Sequence, residues 1–225
     1  GWGCEKISTA ADLAPIRSAL RRAHRNGTSA FDASGDTAGL ECKGGEDFST
    51  PPGPDDIGVD AVASLPEMTS VGGTTLSTDP QGRWLAEHAW TDVPMSQGTS
   101  GGVTTLFDRP LFQRAVSTAR DTAHRLVPDV AAVADPFTGV RMVYDGRVVL
   151  GGGTSQAAPI WAALTVLMNQ YVIAHGGKRL GDLNPLLYRV AAGSKLPAFR
   201  EINQVPDDDG TMPPTYTPAK AVESM

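Results

Sequence analysis

The stretch that most constrains the fold of this chain is GGGTSQAAP at residues 151–159. It follows an apolar run typical of a strand, 148–150, and it opens an apolar run that predicts a helix over 155–174. That helix is apolar on nearly every side, so we expect it to be central and buried. A strand that turns directly into a buried helix is typical of α/β proteins.

The turn itself has two interpretations. Ser155 lies in the first turn of the predicted helix, where free N–H groups and the positive end of the helix dipole favour a developing negative charge. Pro159 suits an early helical position, and the glycines let another backbone approach closely. The simpler interpretation is that Thr154 or Ser155 merely caps the helix. An α/β-hydrolase elbow is excluded, because it needs G-x-S-x-G and Ala157 holds the fifth position.

The rest of the chain fits the same fold class. An amphipathic helix is predicted over 9–26, and a short strand over 28–33 ends at the sequence SGD. Further strands are predicted at 69–71, 84–90 and 101–106, a hairpin with an Asp145-Gly146 turn at 140–150, and a short helix at 185–192. Helices alternating with strands predict a parallel sheet.

Size and charge limit the function classes. A chain of 225 residues and 23.6 kDa is expected to form a single core. The net charge of -6 and the pI near 5.1 argue against a nucleic-acid partner or an anionic membrane surface. The longest uncharged apolar stretch, 157–168, is too short to cross a bilayer, so no membrane partner is expected.

The ends and the cysteines raise separate questions. The chain opens on GWGC without an initiator Met or a signal peptide, which predicts a processed chain or a fragment. We predict one partial domain over 1–202 and an acidic, Pro-rich tail over 203–225 to which no structure is assigned. The two cysteines, Cys4 and Cys42, could form a disulfide or stay as buried thiols, and the residues alone favour neither.

The GTS-x-A-x-P run resembles the nucleophile segment of subtilisin-fold serine peptidases, and its surroundings resemble the sedolisin branch, the serine-carboxyl peptidases. Subtilisins usually place His after the Pro, where Ile160 stands, and use an oxyanion Asn closer in sequence. Here SGDTAG carries Asp36 far upstream of Ser155, which is similar to sedolisin spacing. The other matching motifs are GWGCE at 1–5, VGGT at 71–74, ExxW at 87–90, SGGV at 100–103, PDVA…ADP-x-TG at 128–139 and LNPxxY at 183–188.

The resemblance implies a subtilisin-like three-layer α/β/α fold with a mostly parallel central sheet. It implies that Ser155 is the nucleophile of a serine endopeptidase and that Asp36 lies in the oxyanion hole. A carboxyl group there must be protonated to donate a hydrogen bond, which requires a raised pKa, acidic pH, or both. The base would be a Glu supported by an Asp upstream of the GWG strand, and Glu5 and Asp12 match neither by context.

Further expectations follow from the same resemblance. Ser100, Gly101 and Gly102 are expected to line the substrate cleft. The side chain of Glu201 and the carbonyl of Ile202 resemble the start of a calcium site, although Glu replaces Asp and the closing loop of the family is missing. The acidic run 207–209 lacks the register of an EF-hand and is interpreted as a solvated loop.

The resemblance also favours a Cys4–Cys42 disulfide, and hence a secreted protein, over two free thiols. Asp129 and Asp135 are interpreted as structural carboxylates. The implied partners are a peptide or protein substrate, and an N-terminal propeptide or the remaining catalytic fragment. The main alternative is an inactive subtilisin-fold module that only binds peptides. A lipase or esterase is disfavoured by the absence of G-x-S-x-G.

Overall fold

The computed structural model describes residues 3–43, 52–92, 97–115, 123–193 and 198–202, so the predicted tail over 203–225 and the start of the GWG motif lie outside the described residues. Within those ranges the helices are α1 (Ala14–Arg25), α2 (Thr154–Ala174) and α3 (Asn184–Gly193), with short 3-10 helices at Glu5–Ile7 and Leu111–Ala115. The strands are β1 (Phe31–Ala33), β2 (Thr69–Thr78), β3 (Trp84–Ala89), β4 (Thr91–Asp92), β5 (Gln97–Gly98), β6 (Gly102–Asp108), β7 (His124–Val127), β8 (Val130–Val133), β9 (Arg141–Tyr144) and β10 (Arg147–Leu150).

Strand β2 is the centre of the main sheet. It pairs in parallel with β1, where Asp32 lies opposite Ser70, and in parallel with β8, where Val71 lies opposite Val130. Further along, β2 pairs in antiparallel fashion with β3. Two of these three pairings are parallel, and the mostly parallel α/β sheet is confirmed.

Helices pack in two core clusters on opposite faces of this sheet. Helix α2 contacts β1, β2 and β8, and its cluster includes Phe31. The second cluster contains Leu13, which directly precedes α1, together with Ala30. Because neighbouring residues of an extended chain point to opposite faces, Ala30 and Phe31 belong to different layers. This is the layering that a three-layer fold requires.

Helix α1 begins later than its sequence pattern predicts. The helix was expected from Thr9, and Thr9 and Asp12 do form a capping pair in which Thr9 N donates to Asp12 Oδ2 at 2.8 Å. The α-helix nevertheless starts at Ala14, with Pro15 in its first turn. Proline lacks the N–H for an intrahelical bond and is favoured in the first helical turn, which fits a helix that begins at Ala14.

Helix α2 was expected to be central and buried, and this is wrong for most of its length. Ala157 is fully buried against the sheet, but Val166 is 66% exposed, Leu167 is 60% exposed and Tyr171 is 67% exposed. The sheet strands β1, β2 and β8 cover one face of the helix, and these exposed side chains lie away from that face. By length and composition alone, this 21-residue helix is also apolar enough to cross a membrane.

The predicted hairpin and disulfide are both present. Strands β9 and β10 pair with Tyr144 opposite Arg147, and the two turn residues Asp145 and Gly146 have φ of 47° and 72°. Positive φ at both central residues is the geometry that favours Asp-Gly in two-residue hairpins. Cys4 and Cys42 form a disulfide, with their Cα atoms 4.5 Å apart, as the family resemblance implied.

Asp129 holds a fully buried ion pair beneath the sheet edge. Arg125 Nη2 donates to Asp129 Oδ2 at 2.7 Å, and neither side chain is exposed. Tyr188 of α3 and the backbone N–H of Ser70 in β2 donate to the same carboxylate. Asp129 therefore ties β2, β8 and α3 together, and its interpretation as a structural carboxylate is supported by these contacts.

Removing the Asp129 carboxylate leaves Arg125 buried without its counter-charge. We expect Asp129→Ala to lower the free energy of unfolding by about 3–5 kcal/mol. Denaturant unfolding measures the loss, and Asp55→Ala, at an exposed aspartate, serves as the matched control. A destabilisation no larger than that of the control would contradict a structural role for the pair.

A second buried carboxyl predicts how stability depends on pH. Burial, and then the nearby charge of Asp60, raise the pKa of Asp32 from 3.8 to about 6. The folded state therefore binds this proton more tightly than the unfolded state. Protonated Asp32 adds to the free energy of unfolding below pH 3.8, and this added stability is lost as pH rises through about 6.

We therefore expect the wild-type protein to lose more stability between about pH 4 and about pH 7 than Asp32→Asn, whose side chain does not titrate. Urea unfolding of both proteins at the two pH values measures the difference. Parallel pH profiles for the two proteins would show that Asp32 has the same pKa folded and unfolded.

Candidate active site

The carboxyl group of Asp36 lies against the first residue of α2. Thr154 N donates to Asp36 Oδ1 at 2.7 Å, and the Thr154 hydroxyl donates to the same oxygen at 2.6 Å. The N-cap residue is Gly153, which makes no side-chain capping bond. The interpretation in which Thr154 or Ser155 caps the helix is therefore wrong, because the cap comes from Asp36 in a distant segment.

Gly153 is required for this close approach. Its φ is 85°, and a Cβ atom at this position would lie 2.6 Å from Asp36 Oδ2. Thr154 Oγ1 also accepts a hydrogen bond from Gly35 N at 3.1 Å, so the two turns interlock. Gly153 thus permits the close approach of the Asp36 side chain, whereas the sequence interpretation had another backbone as the neighbour.

Ser155 is the second residue of α2 and is exposed. The hydrogen bonds from Thr154 occupy Asp36 Oδ1, and Oδ2 is the carboxyl oxygen that takes part in neither of them. Of the two predicted catalytic residues, Asp36 is therefore bonded to Thr154, and Ser155 is the next residue of the helix. In the first turn of α2, Thr154 N donates to Asp36 Oδ1 and Gln156 N donates to the Gly153 carbonyl, so a further donor must be another N–H of this turn, such as that of Ser155.

Pro159 lies deeper in the helix than the sequence interpretation assumed. It is the sixth residue of α2, so its missing N–H removes the bond that the Ser155 carbonyl would otherwise accept.

A general base is missing from the part of the site that can be described. In the described ranges, the Ser155 hydroxyl makes no hydrogen bond to a histidine or a carboxylate. His88 is buried in β3, with Nδ1 2.8 Å from the Ala89 carbonyl, and His24 lies 4.0 Å from an oxygen of Asp182. The partners given for these two histidines are the Ala89 carbonyl and Asp182, and neither is Ser155.

The predicted substrate segment lies beside the Asp36 turn. Ser100 N donates to the Gly35 carbonyl at 2.9 Å, and Ser100 is fully buried. Gly101 and Gly102 are half-buried. Substrate binding by these three residues stays a prediction, and it would use the backbone, because the Ser100 hydroxyl is already bonded within the protein.

Glu41 belongs to this site, and sequence reasoning missed it. Its Oε1 accepts hydrogen bonds from the hydroxyls of Thr37 and Ser100, each at 2.5 Å. The same carboxyl group fills the space where a side chain at Gly35 would lie. Glu41 is part of an aperiodic loop and of none of the family motifs, so only its position just before Cys42 could have drawn attention to it.

The calcium prediction is not fulfilled by the described residues alone. Glu201 and the Ile202 carbonyl supply two kinds of oxygen donor, whereas calcium takes about six to eight ligands. Within the described ranges, no group of three or more acidic, histidine or cysteine side chains could hold a metal ion. The acidic run 207–209 lies outside those ranges. A calcium site at Glu201 and Ile202 stays a prediction, and we derive no chemistry through it.

No family model matches the chain. It is 35% identical to kumamolisin of Bacillus sp. (strain MN-32) over 195 residues, which is 84% of this chain and 33% of that protein. It is 35% identical to sedolisin of Pseudomonas sp. (strain 101) over 138 residues, 59% of this chain and 22% of that protein. Human tripeptidyl-peptidase 1 is 28% identical over 201 residues, 82% of this chain and 32% of that protein.

The fold is similar to a solved structure of the same group. Pseudomonas sedolisin, a serine-carboxyl proteinase complexed with two molecules of pseudo-iodotyrostatin, matches with a TM-score of 0.69 and 28% identity, over 85% of this chain and 51% of that chain. The chain thus spans a third or less of these curated relatives and about half of the solved chain. With its subtilisin-like α/β fold, the chain belongs to the sedolisin family.

Proposed function

We propose that the protein containing this chain is a serine endopeptidase that hydrolyses peptide bonds at acidic pH. The observation that carries the proposal is the contact between Asp36 and Thr154, which holds a carboxyl group beside the exposed Ser155 at the start of α2. Human tripeptidyl-peptidase 1 is named as a peptidase and Pseudomonas sedolisin as a serine-carboxyl proteinase, which supports the same activity.

The proposed reaction starts when the Ser155 hydroxyl gives its proton to a base and its oxygen attacks the carbonyl carbon of the peptide bond. Negative charge develops on the carbonyl oxygen of the tetrahedral intermediate. Asp36, protonated on Oδ2, would donate a hydrogen bond to that oxygen, together with N–H groups of the first turn of α2. Collapse breaks the C–N bond, the amine leaves with a proton, and water then hydrolyses the ester on Ser155.

The contact with Thr154 gives the two oxygens of Asp36 different tasks. Oδ1 accepts two hydrogen bonds, so a proton on the carboxyl group is better placed on Oδ2. An ionised carboxyl group would repel the oxyanion, so the donor role requires the protonated form. A histidine base would be charged under such acidic conditions, which supports a carboxylate base instead.

The base is proposed to come from the rest of the protein, as a Glu supported by an Asp. Helix α2 has an exposed stripe at helical spacing that begins at Ser155 and continues through Pro159, Val166 and Leu167. An apolar stripe of this length is normally covered by another element. A segment that covers it would lie next to Ser155 and could present the base there.

The protein is further proposed to be secreted, and the Cys4–Cys42 disulfide supports this because disulfides persist in oxidising compartments. Its proposed partners are peptide or protein substrates, and an N-terminal propeptide or the remaining catalytic segment. The alternative function is an inactive peptide-binding module. That alternative is favoured by one observation, the absence of a base for Ser155 among the described residues.

The test uses the full-length protein with a denatured protein substrate at about pH 4. We expect Ser155→Ala to abolish hydrolysis, because the nucleophile is removed. We expect Asp36→Ala to lower kcat/KM by about 10²- to 10³-fold, which is the usual effect of removing one oxyanion donor.

The exposed Asp55→Ala variant serves again as the control, and folding of each variant is checked by circular dichroism. Hydrolysis that survives in Ser155→Ala would refute the nucleophile assignment. Wild-type protein that binds the peptide but releases no product would favour the inactive module.

A further inference from the structure

Glu41 is bonded to the two segments that surround the candidate oxyanion acid. Thr37, directly after Asp36, donates its hydroxyl to Glu41 Oε1, and Ser100 of the predicted substrate segment donates its hydroxyl to the same oxygen. Both distances are 2.5 Å, in the range typical of hydroxyls that donate to a carboxylate.

Ser100 is the point where these bonds meet. Its oxygen accepts hydrogen bonds from Thr37 N at 3.2 Å and from Gly39 N at 3.1 Å, while its proton goes to Glu41. A hydroxyl has one donor and two acceptor positions, so the Ser100 side chain is fully used. Because it is completely buried, it depends on Glu41 as the acceptor for its proton.

The backbone on both sides of Asp36 is fixed to the same segment. Gly98 N donates to the Asp36 carbonyl at 3.0 Å, and Ser100 N donates to the Gly35 carbonyl at 2.9 Å. The loop that follows is closed at Cys42 by the disulfide. Residues 98–100 therefore fix the position of the Asp36 turn through backbone hydrogen bonds. Glu41 links the same two segments through the side chains of Thr37 and Ser100.

We propose that Glu41 is a positioning residue for the peptidase reaction, which holds the Asp36 turn and the Ser100–Gly102 segment as one rigid unit. The proposal rests on the proposed function and adds a residue that acts through Asp36 rather than on the substrate. Its carboxyl group also lies on the side of Gly35 where a Cβ would be, so it supports the turn by packing as well as by hydrogen bonds.

The proposal makes the hydrogen-bond acceptor, and not the negative charge, the important property of Glu41. Gln has an amide oxygen at the same distance along the side chain and can accept both hydroxyl protons. Ala can accept neither and leaves the buried Ser100 hydroxyl without its acceptor. The two substitutions therefore separate positioning from a direct role in acid–base catalysis.

The experiment compares Glu41→Gln, Glu41→Ala and Ser100→Ala in the full-length protein. We expect Glu41→Ala to lower kcat by about 10- to 100-fold with a smaller change in KM. A misplaced catalytic group reduces the stabilisation of the transition state more than it reduces the affinity for substrate. Glu41→Gln should keep most of the activity and an unchanged pH profile. When Ser100→Ala is combined with Glu41→Ala, it should reduce kcat little beyond the effect of Glu41→Ala alone, since both substitutions remove the same hydrogen bonds.

A second measurement separates positioning from a general loss of stability. An N-acetylated tripeptide aldehyde adds to a serine hydroxyl and places an oxygen where the oxyanion forms, so Glu41→Ala should weaken its inhibition more than it raises KM for a peptide substrate. Amide hydrogen exchange in Thr37 and Gly39 should become faster in Glu41→Ala than in Glu41→Gln. Thermal unfolding of all three variants corrects for differences in global stability.

The outcomes are distinct. Normal kcat and normal exchange in Glu41→Ala would overturn the proposal, and so would a Glu41→Gln variant as inactive as Glu41→Ala with a shifted pH profile, which indicates a role for the charge. If the wild-type protein shows no Ser155-dependent hydrolysis, the proposed function fails. Hydrogen exchange then still decides whether Glu41 holds the Asp36 turn.

Discussion

The site depends on the hydrogen bonds by which Asp36 accepts from the backbone and the hydroxyl of Thr154. They join the end of β1 to the start of α2, two elements that are more than a hundred residues apart in sequence. A carboxyl group at this place satisfies the N–H of the first residue of the helix and suits the positive end of the helix dipole. Gly153 is fixed by the same contact, because a side chain there would collide with the carboxyl group.

This contact gives Asp36 a structural role at the start of α2 and is compatible with the chemical role proposed for it. Oδ1 of Asp36 caps the N-terminus of α2 through Thr154, and Oδ2, which accepts neither of these bonds, is the oxygen left for the proposed oxyanion interaction. The segment 98–100 and Glu41 then fix the Asp36 turn from the other side. The candidate nucleophile itself has few constraints in the described residues, since it is exposed at the edge of an apolar helix stripe.

Much of this arrangement could be predicted from the sequence. The turn at 151–159, the Asp145-Gly146 hairpin and the strand before Asp36 all have strong local signals, because glycine, proline and hydrophobic alternation act over a few residues. The disulfide and the candidate role of Asp36 were predicted from the order of several motifs along the chain, because that order resembles the sedolisin family. Local propensity failed where a single residue overrides the pattern, as Pro15 does at the start of α1.

Tertiary features were beyond such patterns. The sequence of an apolar helix does not tell whether one or both of its faces are covered by other elements. The exposure of Val166 and Leu167 could therefore not be predicted. Glu41 has no periodicity or motif, and its importance follows only from the fold, which places it against Gly35 and Ser100. The antiparallel pairing of β3 with β2 likewise depends on chain path and not on strand composition.

The most direct test of the account is to trap the covalent intermediate in the full-length protein. Acid quenching during turnover of a peptide ester, followed by tryptic digestion and mass spectrometry, should find the acyl group on the peptide 148–178 at Ser155. Asp36→Ala should reduce the rate at which this adduct appears. Turnover with no adduct at Ser155, or with an adduct on another residue, would contradict the assignment of Ser155 as the nucleophile.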